Sequence, residues 1–337
     1  MFRCCGRAVR FDLNDRGSDS VWFGSLSSVF LFGAGSMLGW SILQASYRND
    51  VIPFCNGNTR RLPAGVERGI HLDDQLAVAQ LFEKERPGLI IHCAGICDVE
   101  TCEESPEFAY SVNVDGTQIL IDYAPPEARI VYCSSDHVFS GDTGPYDEDA
   151  PTDPISVYGR TRVAAERLML SRPNTIVIRA GLWIGPSATG RIGHLDWLRY
   201  RHRRQLPMTV VADEFRSAVW ADAAARRVWA LAQADATGIR HITTTRVVAR
   251  PELAAYLNAH FEIGASFGVK PRVLCMPHLG RVELATRYRD ALAAPLASVV
   301  DDSWSRPLGC TTPIDTEIDA AQIDRCLVAR QQRLDQA

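Results

Sequence analysis

The chain has 337 residues, of which 46% are hydrophobic and 23% charged, and its formal net charge is -4. That length accommodates one large α/β unit with a satellite domain, or two domains, and the slightly acidic balance offers no basic field to a nucleic-acid partner. The ten cysteines, among them Cys55, Cys93 and Cys133, fall largely in apparent core strands and read as buried thiols rather than a disulfide framework. Cys93, Cys97 and Cys102 lack CxxC spacing and a paired histidine, so no metal site is expected.

The run from Ser20 to Tyr47 carries no charge and is long enough to span a bilayer. It nevertheless holds four glycines and five serines before Trp40, and its centre reads as strand, glycine turn and helix. Asp12, Asp15 and Asp19 also spoil the amino-terminal region of a signal peptide. Residues 1–27 therefore read as a loosely ordered extension, and the protein as cytoplasmic with no membrane partner.

From Val29 onward, apolar strands alternate with amphipathic helices. Strand "VFLF" ends at Gly33 and precedes a helix through Leu38, Ile42 and Leu43; strand "VIPFC" and a short segment to Ile70 and Leu72 follow. Helix Gln75 to Glu85 precedes strand "GLIIHCAG", and helix Pro106 to Tyr123 precedes strand "ARIVYCSS". The helix bearing Tyr158 leads to strand "TIVIRAG". This alternation predicts an α/β fold with a doubly wound parallel sheet of the Rossmann kind, covered on both faces. After Gly185 it breaks down, with an Arg-rich stretch (Arg191 to Arg204) and turn signals at Pro207, Pro251, Pro271 and Pro295. The division expected is a dinucleotide-binding domain over 28–185, with later pieces from about 218–248, and a smaller substrate domain over 186–217 and 249–337. No internal repeat or low-complexity tract is present.

"FLFGAGSMLG" joins the first strand to the first helix, where glycines permit a tight turn and let backbone N–H groups approach a pyrophosphate. It is not GxGxxG; Gly33-x-x-Ser36-x-x-Gly39 is the better parse. The second strand ends in "FCNGNTRR" without an acid to hold a ribose 2′-OH, while Arg60 and Arg61 lie just beyond. That favours NADP(H) over NAD(H); two solvated loop arginines are the alternative. Tyr158 and Arg162 stand at the i, i+4 spacing that brings side chains together on a helix.

Two long phrases complete the pattern, "HCAGICDVETCEESPEFAYSVNVDG" (His92 to Gly116) and "YCSSDHVFSGDTGPYDEDAPTDPISVYGRTRVAAE" (Tyr132 to Glu166). Here the chain resembles the extended short-chain dehydrogenase/reductase superfamily, and within it the dTDP-4-dehydrorhamnose reductase family. The matching residues are Ser134, Ser135, Asp136, His137, Val138, Phe139 and Gly141, then Pro145, Tyr146 and Glu148, then Tyr158, Gly159, Thr161 and Arg162. The resemblance runs from about Val29 to Gly185 and continues weakly through "ADEFRSAVWAD" and "APLASVVDDS".

The resemblance implies roles residue by residue. Gly33, Ser36, Met37, Leu38 and Gly39 would cradle the pyrophosphate, and Ala94 and Gly95 would line the adenosine ribose and phosphate. Ser135 would hydrogen-bond the substrate carbonyl, and Tyr158 would donate a proton as hydride arrives from the nicotinamide. The cation at 162 would hold the nicotinamide ribose and lower the Tyr158 pKa. Asn113, His137 and Arg216 would serve the substrate, expected to be a keto-sugar nucleotide; a homodimer stays open. Four departures stand out: Ser36 for glycine, His71 for an acid after the third strand, His137 for tyrosine and Arg162 for lysine. His137 could equally be a satisfied polar side chain at the sheet edge.

A free tyrosine has a pKa of about 10, and lowering it by three units takes about 4 kcal/mol. A fixed cation about 4 Å away at an effective dielectric near 20 supplies about that much. Arginine meets this electrostatic need, but its planar fork is not a compact ammonium and it cannot lend a proton. The function expected is NADP-linked reduction of a keto-sugar nucleotide. The alternatives are an epimerase or dehydratase of the same superfamily, or a weakened NADP-binding regulatory protein. The regulatory β subunit of methionine adenosyltransferase resembles the same family. The Arg-rich stretch could grip a diphosphate or form a solvated helix face.

Overall fold

The protein is described by a computed structural model over residues 28–46, 50–56, 68–141, 146–212, 214–242, 248–270 and 282–284. Arg60, Arg61, the expected extension over 1–27 and the segments 271–281 and 285–337 lie outside the described residues.

In chain order the elements begin β1 (Val29–Phe32), α1 (Met37–Gln44), β2 (Val51–Cys55), β3 (Arg68–Gly69), α2 (Gln75–Lys84) and β4 (Leu89–His92). There follow α3 (Val99–Glu104), α4 (Pro106–Tyr110), a π-helical turn (Ser111–Asp115), α5 (Gly116–Tyr123) and β5 (Arg129–Cys133). A 3₁₀ turn (Asp136–Val138) precedes α6 (Val157–Leu170), β6 (Thr175–Ala180), β7 (Leu182–Ile184) and α7 (Gly193–Arg203). Then come β8 (Thr209–Val211), β9 (Glu214–Arg216), β10 (Ala218–Trp220), α8 (Ala221–Gln233), β11 (Gly238–Ile242), β12 (Val248–Ala249), α9 (Arg250–His260), β13 (Gly268–Lys270) and β14 (Val282–Leu284). One sheet of seven strands runs β11-β6-β5-β4-β1-β2-β3, and every pairing in it is parallel. The doubly wound parallel sheet expected from the alternation is present.

Successive side chains of a strand point to opposite faces, and β1 shows the consequence. Val29 and Leu31 pack with Ile42 of α1 and Val228 and Trp229 of α8, whereas Phe30 and Phe32 pack with Val78 and Phe82 of α2 and Leu120 of α5. Trp229 Nε1 donates to the Ile42 carbonyl at 2.9 Å, tying α8 to α1. Each large side chain buried this way contributes roughly 1.5–3 kcal/mol of transfer free energy. A third core joins Ile184, Leu195, Leu198, Val210, Leu253 and Leu257. It lies among short strands outside the main sheet: β10 with β7, β13 with β8, and β9 between β12 and β14. The charge-free run folds from residue 29 as β1, turn and α1. Among the described residues, no helix is long and apolar enough to cross a membrane.

Candidate active site

Strand order reverses between β4 and β1, and the crevice outside the carboxyl ends of the strands at such a point is where open α/β sheets take ligands. Gly33 leaves β1 with φ +86°, and a Cβ there would stand 2.6 Å from the Ala94 nitrogen. A Cβ on Gly39 would stand 2.1 Å from the Gly33 carbonyl oxygen. Only glycine fits either place. Ser36, the departure from the glycine pattern, caps α1: its Oγ accepts from the Gly39 N–H at 3.0 Å. Met37 and Leu38 turn buried side chains into the fold, so only their backbones could face a pyrophosphate. The end of β2, Cys55 and Asn56, carries no acid.

Ala94 and the exposed Gly95 follow β4. A Cβ on Gly95, at φ +138°, would meet Asn113 Oδ1 at 2.7 Å and an Arg162 guanidinium nitrogen at 2.9 Å. Asn113 itself is buried in the π-helical turn. Its Oδ1 accepts from Ile96 N–H at 2.7 Å, and its Nδ2 donates to the Ile96 carbonyl and to Thr161 Oγ1, both at 3.0 Å. Asn113, expected at the substrate, has an amide that ties the 94–97 loop to α6 and is engaged on both sides.

Ser156 caps α6, its Oγ accepting from Gly159 N–H at 3.0 Å. A Cβ on Gly159 would come within 2.2 Å of the His137 carbonyl oxygen, so the helix lies directly on the 3₁₀ turn. That approach sets the His137 and Tyr158 rings edge to face, 5.3 Å between centroids. Tyr158 is buried, close enough to Ser135 and Arg162 that both favour its ionised form. Ser135 Oγ also accepts from His137 N–H at 3.2 Å. Beneath this turn, Ser134 Oγ donates to Glu166 at 2.5 Å, and Arg179 grips the same carboxylate with Nη2 at 2.7 Å. A buried ion pair therefore fixes α6 to β6 under Ser135.

Arg162 is buried and reaches past Tyr158: it donates to Tyr132 Oη at 2.9 Å and lies over the Tyr158 ring at 5.0 Å. Its Nε has no hydrogen-bond partner, and among the described residues no carboxylate pairs with it. Such a cation pulls on every nearby titration. Burial pushes Tyr132 up to about 12 against the attraction of Arg162. Burial and the repulsion of Arg162 lower His92 to about 3. Arg162 pulls the Tyr158 pKa down as expected, but burial is the larger effect and raises it above the usual tyrosine value.

Arg216, also expected at the substrate, is buried. Its Nε and Nη2 donate to Asp136 at 2.9 and 2.6 Å, while Nη1 donates to Glu214 and contacts His137 Nε2, both at 3.2 Å. The guanidinium is a buried strut between the 3₁₀ turn and β9, and His137 bridges it to Tyr158. Glu214 Oε1 accepts in turn from Arg250 at 2.7 Å, and Arg250 contacts His194. These last three line a cavity of about 230 Å³ walled by Trp197, Leu198 and Leu253. A larger cavity of about 910 Å³ is lined by Arg191, Trp197, Tyr200, Arg203 and Arg204. Of the Arg-rich stretch, Arg201 stacks on Trp197 and Arg204 on Tyr200.

The predicted trio Ser135, Tyr158 and Arg162 is thus brought together beside Gly95, across β4 from the Gly33–Gly39 turn. Tyr132, Glu214, Arg250 and His194 went unread in the sequence, and Asp136 was read only as a matching position of its phrase. Asp136 sat inside the quoted phrase and Glu214 inside "DEFRS", but neither spacing names its partner.

A family model described as the RmlD substrate binding domain matches residues 27–291. Methionine adenosyltransferase 2 subunit beta of Xenopus tropicalis is 34% identical over 143 residues, 42% of this chain and 42% of that protein. The probable dTDP-4,6-dihydroxy-2-methyloxan-3-one 4-ketoreductase of Streptomyces antibioticus is 30% identical over 217 residues, 63% of this chain and 69% of that protein. A crystal structure of dTDP-4-dehydrorhamnose reductase from Bacillus anthracis str. Ames in complex with NADP superposes with a TM-score of 0.65 at 20% identity. It covers 78% of this chain and 91% of that one, and the likeness speaks for the fold alone. The chain spans less than half the length of the adenosyltransferase subunit it matches.

Proposed function

The chain belongs to the RmlD substrate binding domain family, and from that premise we propose that it reduces a keto-sugar nucleotide with a nicotinamide dinucleotide, NADP(H) ahead of NAD(H). The observation that carries this reading is the convergence of Ser135, Tyr158 and Arg162 beside Gly95, across β4 from the glycine turn, at the reversal of strand order. The turn fits a dinucleotide: Gly33 and Gly39 leave no room for a Cβ, and the helix beyond is capped by Ser36. Gly33, Ser36, Gly39, Ala94 and Gly95 would hold its phosphates and riboses, with Met37 and Leu38 contributing backbone only. The absence of an acid at the end of β2 supports NADP(H). When bound, the dinucleotide would supply the hydride.

The chain's own residues would do the rest. Ser135 Oγ would donate to the substrate carbonyl, and Tyr158 Oη would release its proton as negative charge develops on that oxygen. Reduction needs the phenol form, which Tyr158 keeps; burial opposes its proton release and the Arg162 charge favours it. Residues 186–217 and 249–270 would cover the sugar nucleotide. The cavity of His194, Glu214 and Arg250 is joined to Ser135 through Asp136 and Arg216, which supports its service to the nucleotide.

One observation favours a second reading. Arg162 is engaged by Tyr132, and misplacement by 1 Å can cost about a hundredfold in rate; a dinucleotide-binding regulatory protein would tolerate that. NADPH oxidation should be followed against a panel of dTDP-4-keto-6-deoxy sugars and related nucleotide sugars. Turnover should fall about 10²- to 10⁴-fold in Tyr158→Phe and persist or rise in Arg162→Lys. Wild type and Arg162→Lys both inert across the panel, with dinucleotide bound, would decide for the regulatory reading.

A further inference from the structure

Cys93 and Cys133 lie side by side at the carboxyl ends of β4 and β5, one residue beyond the register pair His92 and Tyr132. Both are free thiols, and their Sγ atoms are 3.4 Å apart. Cys133 is buried; Cys93 is half-buried, between the Gly33 turn and Gly95. A disulfide needs Cα atoms about 4.4–6.8 Å apart, and residues facing each other on neighbouring strands, about 4.8 Å apart, meet that. Cys93 also touches the dinucleotide turn. Its N–H donates to the Phe32 carbonyl at 2.8 Å, and its carbonyl oxygen would be 2.7 Å from a Cβ on Gly33.

We propose that Cys93 and Cys133 form a redox-active dithiol that closes reversibly to a disulfide under a peroxide oxidant, and that closure weakens dinucleotide binding at the adjoining turn. The coupling to binding rests on the dinucleotide reading above. In the first step the Cys93 thiolate attacks one oxygen of hydrogen peroxide; the O–O bond breaks, leaving a sulfenic acid and, after protonation, water. The Cys133 sulfur then displaces the hydroxyl, forming the S–S bond and releasing a second water. In total two thiols lose two electrons and two protons, and one peroxide becomes two waters. The hydrogen bond with Cys133 and burial both hold the Cys93 pKa up, with Arg162 opposing them, so the first step is slow at neutral pH and quickens in alkali.

Closure brings the sulfurs from 3.4 Å to about 2.05 Å. Cys93 has little slack for that, because its backbone is clamped between Phe32 and Gly33. The strain therefore passes into the turn, and by reciprocity a bound dinucleotide opposes closure.

The test treats the full chain with hydrogen peroxide, with and without saturating NADP+, maps cross-linked peptides without reduction, and then titrates NADP+ by calorimetry. The expected result is a Cys93–Cys133 link that dithiothreitol reverses and NADP+ retards. Affinity should be weakened about tenfold in the oxidised wild type and unchanged by the same treatment in Cys133→Ala or Cys93→Ala. A protein that binds NADP+ but yields no such link, for instance with oxidation confined to the exposed Cys97, overturns the dithiol. A link that leaves NADP+ affinity unchanged overturns the coupling. A reduced protein that does not bind NADP+ at all overturns the dinucleotide reading itself, and the coupling with it, while the link is still scored by the map.

Discussion

Arg162 and Arg216 are buried alike, 4% and 5% exposed, but their surroundings are opposite. Arg216 is met by two carboxylates, Asp136 and Glu214, and all its nitrogens are engaged. Arg162 is met by a phenol and an aromatic face, and its Nε is left over. Desolvating a guanidinium costs several kcal/mol, which close carboxylates offset and phenols offset only in part. One arginine thus belongs to the architecture of the site. The other is a charge held ready at a point where the fold alone gains little from it.

The largest effect should come from removing the paired cation. Arg216→Met leaves Asp136 and Glu214 buried without their counter-charge and should destabilise the fold by about 3–5 kcal/mol, read as a lowered midpoint in urea denaturation. A midpoint near that of wild type would break the comparison from this side.

Next, and smaller for each unit of pH, is a dependence on pH. His92 is buried with a pKa lowered to about 3 by burial and by Arg162. The unfolded chain takes up this proton near pH 6.5 and the folded chain does not. Stability should therefore fall as pH drops below 6.5, by about 1.4 kcal/mol per unit from this group, until the folded pKa is reached. His92→Gln should remove that share of the slope. Arg162→Met should reduce it without abolishing it, since burial is the larger cause.

The smallest effect on the fold is expected for Arg162→Met, whose stability should stay within about 1 kcal/mol of wild type. Relief of the unpaired charge offsets the lost hydrogen bond to Tyr132.

The same contrast explains what could be read in the sequence. The strands were legible because apolar runs and helix periodicity are local signals. Ser135, Tyr158 and Arg162 were legible because they lie within one quoted phrase of 35 residues, with the last two a helical turn apart. The ion pair of Arg216 was not legible because Asp136, its partner, is 80 residues away, and no spacing rule reports an ion pair across that distance. The tie made by Asn113 was hidden for a similar reason: its partners Ile96 and Thr161 lie in the loop after β4 and on α6. Tyr132 was hidden as one more apolar-looking position of β5. The sign of the Tyr158 shift needed burial, which a cation four residues away does not disclose.

The most direct test of the central claim, that Arg162 is kept for the dinucleotide rather than for the fold, is calorimetric titration of NADP+ into wild type and Arg162→Met. The account expects affinity at least about tenfold weaker in the variant, a loss of about 1.4 kcal/mol in binding, with folding stability nearly unchanged. Equal affinities, or a loss of folding stability as large as that of Arg216→Met, would contradict it.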